Sequence, residues 1–123
     1  MPSQTLAAGL TDLLLYEVDP AWSRTTVVLG AGPALALGTV LAKNAAGEFN
    51  PVNFAGSGGA QTAVAVLCEA VPVRAAVGKG TALRNGCVLD EPTLVWPAGA
   101  TDVQKAGALA SLGALGIYTR TAL

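Results

Sequence analysis

Chemistry in this chain would have to come from a few glycine-rich, thiol or carboxylate features. Thr26-Val-Val-Leu-Gly30-Ala-Gly32-Pro-Ala-Leu35 has the form of a strand followed by a glycine loop. Such loops let a backbone approach a pyrophosphate at a helix N-terminus. Here the third glycine position is Leu35, which would obstruct close helix–strand packing. The following Leu35-Ala-Leu-Gly-Thr-Val-Leu41 alternates and breaks at Gly38 instead of forming a helix. Nucleotide binding is the weaker reading. Gly78-Lys79-Gly80-Thr81 lacks the upstream glycine and the Lys-Thr adjacency of a phosphate loop, and reads as a surface turn.

The remaining reactive groups are scattered. Asp12, Glu17, Asp19, Glu48, Glu69, Asp90, Glu91 and Asp102 stand mostly beside turn residues or helix starts, where solvated or capping roles are usual. There is no histidine, so a serine or cysteine nucleophile has no imidazole base and the usual zinc patterns cannot form. Cys68 and Cys87 are the only cysteines. They read as reduced small hydrophobes in strands, although spacing alone leaves a disulfide possible. Lys43, Lys79 and Lys105 have no tight-turn context that would mark a carrier domain. No catalytic, cofactor or metal site is expected, and the chain does not read as an enzyme.

Composition points to partners instead. Charged residues make up 12% and apolar residues 52% of the 123 positions, against about 25% charged in ordinary domains. So few charges can hardly cover a monomer, which implies a buried protein–protein interface. The net charge of -1 gives no electrostatic reason to expect nucleic acid or an anionic membrane. Thr25–Ala42 and Phe49–Cys68 are uncharged, yet glycines, prolines and polar residues interrupt both. Neither reads as a transmembrane helix. No basic leader precedes a hydrophobic stretch, so the chain reads as soluble and non-secreted.

The elements that must position any interface form an arm and a body. Residues 1–22 read as an arm, with Leu6, Leu10, Leu13, Leu14, Leu15 and Tyr16 before the Asp19-Pro20 breaker. The leucines fit a helical stripe and also partial alternation, so periodicity does not choose. Residues 23–123 read as a β-rich body. Thr39–Lys43 and Glu48–Val52 flank Asn44-Ala-Ala-Gly47 as a hairpin, with Pro51 at an edge or strand end. Thr62–Cys68 reads as a buried strand. Asn85-Gly86 reads as a turn between Thr81–Arg84 and Cys87–Leu89.

A helix is predicted over about 101–116. Thr101 and Gln104 can form a reciprocal capping box, Asp102 suits the helix dipole, and Gly116 is the stop. Val103, Ala106, Leu109 or Ala110, and Leu112 or Gly113 build its expected apolar face. Gly107 and Gly113 suggest close approach of another backbone. Ile117–Arg120 reads as a final strand.

Ser23-Arg24 before a short strand, Leu37-Gly-Thr-Val-Leu-Ala-Lys43, Gln61-Thr-Ala-Val-Ala-Val-Leu67, the Arg84-Asn-Gly segment and Leu94-Val-Trp-Pro97 before the helix resemble, in order and spacing, lambda-like phage head decoration proteins. The resemblance covers roughly residues 23–120. It implies a mainly β fold with a small α part, of β-clip type. It also implies a homotrimer on the outside of the expanded capsid at local three-fold positions, made in the host cytoplasm, whose arm engages the major capsid protein. On this reading Leu6 through Tyr16 carry the shell contact. The low charge further places Trp96 and Pro97 at or near the subunit interface, with monomer core the competing role for Trp96. A tail or spike module is the alternative structural reading.

Overall fold

The structure, a computed structural model, describes residues 10–120. It is mainly β with one long helix, as the sequence predicts. The chain order begins with a helical turn α1 (Leu10–Leu13), strand β1 (Leu14–Glu17) and a second turn α2 (Pro20–Ser23). Then come β2 (Arg24–Leu29), β3 (Val40–Lys43), β4 (Phe49–Pro51), β5 (Ala63–Leu67), β6 (Gly78–Leu83) and β7 (Cys87–Asp90). A 3-10 turn (Glu91–Thr93) leads to helix α3 (Asp102–Ala114) and strand β8 (Ile117–Arg120).

Five strands close a barrel in the order β2-β4-β3-β5-β6. Its interior is filled by Val27, Leu29, Leu41, Phe49, Ala65, Leu67 and Ala82, with Leu35 and Val71 joining them. A barrel this narrow has little room for side chains, and the sequence answers with alanine and glycine. Gly80, expected in a surface turn, instead lies within β6 opposite Val27. A β-carbon there would sit 2.7 Å from Leu29 Cδ1. The β3–β4 hairpin forms as predicted, with Asn44 Oδ1 accepting from the amides of Ala46 and Glu48 and Gly47 at φ +85°. Pro51 ends β4.

The other sheet has the order β1-β7-β8, antiparallel then parallel. Parallel neighbours need a crossover, and α3 supplies it between β7 and β8. A second core lies between this sheet, α3 and the barrel, and includes Leu13, Val40, Val66, Leu83, Leu89, Leu112 and Ile117. The Asn85-Gly86 turn therefore does not close a hairpin. β6 and β7 belong to different sheets, and the turn carries the chain from one to the other.

The capping box is present. Thr101 Oγ1 accepts from Gln104 N at 3.1 Å, and Thr101 N donates to Gln104 Oε1 at 2.9 Å. Gly116, at φ +88°, turns the chain into β8. The apolar face differs from expectation. Ala108 and Leu112 are buried with Leu109 packed beside them, whereas Val103 is 83% exposed and Ala106 is exposed. A weakly amphipathic, alanine-rich helix leaves its rotation to the tertiary contacts. Gly107 and Gly113 have open space where a β-carbon would stand, so among the described residues no neighbouring backbone packs against them there.

The segment expected to stand apart as an arm is, from Leu10 onward, part of the body. β1 pairs with β7 in the registers Leu14↔Leu89, Tyr16↔Val88 and Glu17↔Cys87, with an irregularity between Leu14 and Tyr16. Leu13 is fully buried in the second core. Glu17 takes both Arg24 Nε and Nη2, at 2.8 and 2.9 Å, tying β1 to the barrel strand β2. The physical cause is apolar burial: Leu13, with Leu10 and Leu14 packed beside it, joins Leu89 of β7 and Leu112 of α3 in one core.

Candidate interaction surfaces

In β1, β7 and β8 alternate side chains face opposite ways. Cys87, Leu89 and Ile117 point into the core, so their neighbours point out. Register then lines up Tyr16, Val88 and Tyr118 as one row across the outer face. Tyr16 is 61% and Tyr118 59% exposed. A shallow hollow of about 170 Å³ lies along this row, lined also by Val18, Gly86 and Gly116. Exposed Trp22 stands beside it, its ring against Gly86. Both tyrosines of the chain and one of its two tryptophans are thus gathered at one end. Aromatic side chains concentrate in binding hot spots because they bury large areas at small entropic cost.

The leucines of the proposed arm behave differently from Tyr16. Leu13 is enclosed by the core, Leu10 and Leu14 pack against it, and Leu15 is half-buried. Their hydrophobicity is spent within the chain. Leu6 lies outside the described residues.

Trp96 and Pro97 are half-buried. Trp96 stacks on Phe54 with ring centroids 6.4 Å apart and an interplanar angle of 27°. It packs against the second core and also borders open grooves. One, of about 270 Å³, runs past Leu35, Val40, Pro51, Val95 and Pro97. Another, of about 400 Å³, is lined by Glu91, Pro92, Leu94, Trp96, Asp102 and Lys105. Trp96 is therefore part core and part surface. A third apolar area lies on the barrel, where Val28, Val73 and Val77 are exposed.

Sequence reading missed Val18, Trp22, Val73, Val77 and Tyr118 as surface groups. For Tyr118 the signal was present, since Ile117-Tyr118 alternate in a short strand.

The features that suggested small-molecule chemistry are occupied by structure. The amides of Gly30 and Gly32 donate to Phe49 O at 3.1 Å and Arg74 O at 2.9 Å. Arg74 Nε donates to Gly30 O at 2.9 Å, so this loop turns its amides inward. Among the described residues, no group of three or more histidine, cysteine, aspartate or glutamate side chains could hold a metal. No helix there is long and apolar enough to cross a membrane. Cys68 and Cys87 are buried free thiols. Loss of solvation pushes Cys68 up to about 11 and Cys87 up to about 12, which makes both poor nucleophiles near neutral pH.

A charge-poor β body that holds aromatic and aliphatic side chains outward on fixed strands defines a structural, partner-binding protein. The chain belongs to the family of the bacteriophage lambda head decoration protein D, whose family model matches residues 3–117. Membership makes it a structural component of a phage head. A search of curated proteins found no match.

Proposed function

We propose that this protein cements the phage head, binding the outside of the expanded shell as homotrimers at local three-fold positions. A ligand that binds the mature shell and not its dissociated subunits stabilises it by mass action. Three copies on one trimer act multivalently, so modest individual contacts combine into slow dissociation. The observation that carries the reading is the outward-facing row Tyr16–Val88–Tyr118, with both tyrosines exposed, on a member of this family. In this reading Tyr16 and its row meet the major capsid protein. The leucines Leu10, Leu13, Leu14 and Leu15 set the row's position from behind, and Leu6 extends the contact. Trp96 and Pro97 border the surface between subunits. No catalysis, nucleic acid or membrane enters this function.

The experiment mixes the protein with undecorated, expanded heads of the phage that encodes it and counts bound copies by cryo-electron microscopy. Density at local three-fold positions, and heads that survive higher temperature, are expected. Heads that remain bare at saturating protein would refute the assignment.

A further inference from the structure

We propose that the copies of the trimer meet head to tail: the barrel patch of Val28, Val73, Val77 and Lys79 on one copy seats in the next copy's Glu91–Trp96–Asp102 groove. The proposal rests on the trimeric reading above and names its contact. A closed ring of three uses one heterologous interface, in which two different patches of the same chain meet. Such patches must be complementary to each other.

On the barrel side, Val73 is 71%, Val77 52% and Val28 39% exposed. Register places Lys79 directly across from Val28, so its side chain leaves the barrel on the same outer face as Val28, two residues along the chain from exposed Val77. Among the described residues Lys79 has no ion pair. Glu69, the carboxylate just after β5, is engaged by the amide of Thr81 at 2.7 Å. Arg74, between the two exposed valines, turns back into the chain. It donates to the carbonyls of Gly30, Pro33 and Pro72 at 2.9, 3.2 and 3.0 Å. Those bonds hold the loop in place, so docking it costs little ordering.

On the opposite patch, Leu94 and Trp96 provide an apolar floor and Glu91 and Asp102 the rim. Lys105 shares the groove, leaving two carboxylates against one ammonium. Among the described residues the Glu91 carboxylate accepts a long bond, 3.5 Å from Thr119 Oγ1, and Asp102 opens α3. The pattern extends over the molecule. Arg24, Lys43, Arg74, Lys79 and Arg84 outnumber Glu48 and Glu69 on the barrel side, while Asp12, Glu17, Asp19, Asp90, Glu91 and Asp102 outnumber Lys105 and Arg120 on the sheet and helix half. Opposed charge fixes the register of an interface and excludes the wrong pairing.

The test measures trimer formation by the full chain by sedimentation velocity over a range of concentrations. Lys79→Glu and Glu91→Lys should each raise the concentration of half-assembly at least tenfold, with unchanged circular dichroism. Both changes in one chain should restore assembly, because the exchanged charges meet again. Val73→Asp, at an exposed position, should abolish the trimer without unfolding the monomer. A wild-type trimer that all three single variants form equally well would overturn this contact and leave the trimer standing. Weakening by both charge variants without rescue in the double variant would overturn the pairing. A wild-type chain that stays monomeric at every concentration would remove the trimeric reading and this contact with it.

Discussion

Gly86 lies so close beneath the ring of Trp22 that a β-carbon would come within 2.4 Å of Cζ3. The carbonyl of Gly86 also accepts from Val18 N at 2.8 Å and Ser23 Oγ at 3.1 Å. Segment 18–23 is thereby clamped over the corner where the chain leaves the barrel for the three-stranded sheet. With φ at +58°, Gly86 also occupies the left-handed region that L side chains enter at a cost of about 1–2 kcal/mol. Gly86→Ala should therefore destabilise the fold by about 2–3 kcal/mol, adding displacement of Trp22 to backbone strain. Urea unfolding measures this, and an unchanged midpoint would contradict the clamp.

Leu13 and Tyr16 are three residues apart and should separate stability from binding. Leu13→Ala opens a cavity in the second core and should cost about 2–5 kcal/mol. Tyr16→Ser, at an exposed site, should change stability by no more than about 0.5 kcal/mol while weakening attachment to heads. Denaturation and head-binding measurements on both variants check the separation. A destabilised Tyr16→Ser chain would count against its outward role.

The buried thiols predict a one-sided pH dependence. Burial raises Cys68 to about 11 and Cys87 to about 12 from an ordinary value of 9.0. The folded state therefore holds thiol protons that the unfolded chain releases. Their contribution is fully present below pH 9 and is lost as pH rises toward 11–12. Stability should fall across that window, and Cys68→Ala/Cys87→Ala should show a shallower fall. Parallel slopes in urea titrations of the two proteins would reject this account.

Thr101→Ala removes the side-chain acceptor for the Gln104 amide and breaks the capping box. The expected loss is about 1 kcal/mol, seen as a lower thermal midpoint. Thr101→Ser should restore most of it.

Local signals written in neighbouring residues were legible without coordinates. The capping box and the Asn44–Gly47 hairpin depend on contacts a few residues apart, and β5 and the final strand carry their apolar pattern in consecutive residues; all formed where the sequence indicated. The charge-poor composition and the absence of histidine also bounded the chemistry from the outset. Long-range packing settled what those signals left open. Leucines 10–15 could be an arm or a core segment, because hydrophobicity states that a side chain avoids water without naming what covers it. Pairing of β1 with β7 and burial of Leu13 among Leu89 and Leu112 decided for Leu10, Leu13 and Leu14 in favour of the core. Asn85-Gly86 specified a turn, but whether β6 and β7 paired depended on barrel closure by β2, which lies some fifty residues upstream. The rotation of α3 was equally undetermined, since an alanine-rich helix buries similar area on several faces. Only the assembled sheets and barrel fixed which side chains were left outward for a partner to meet.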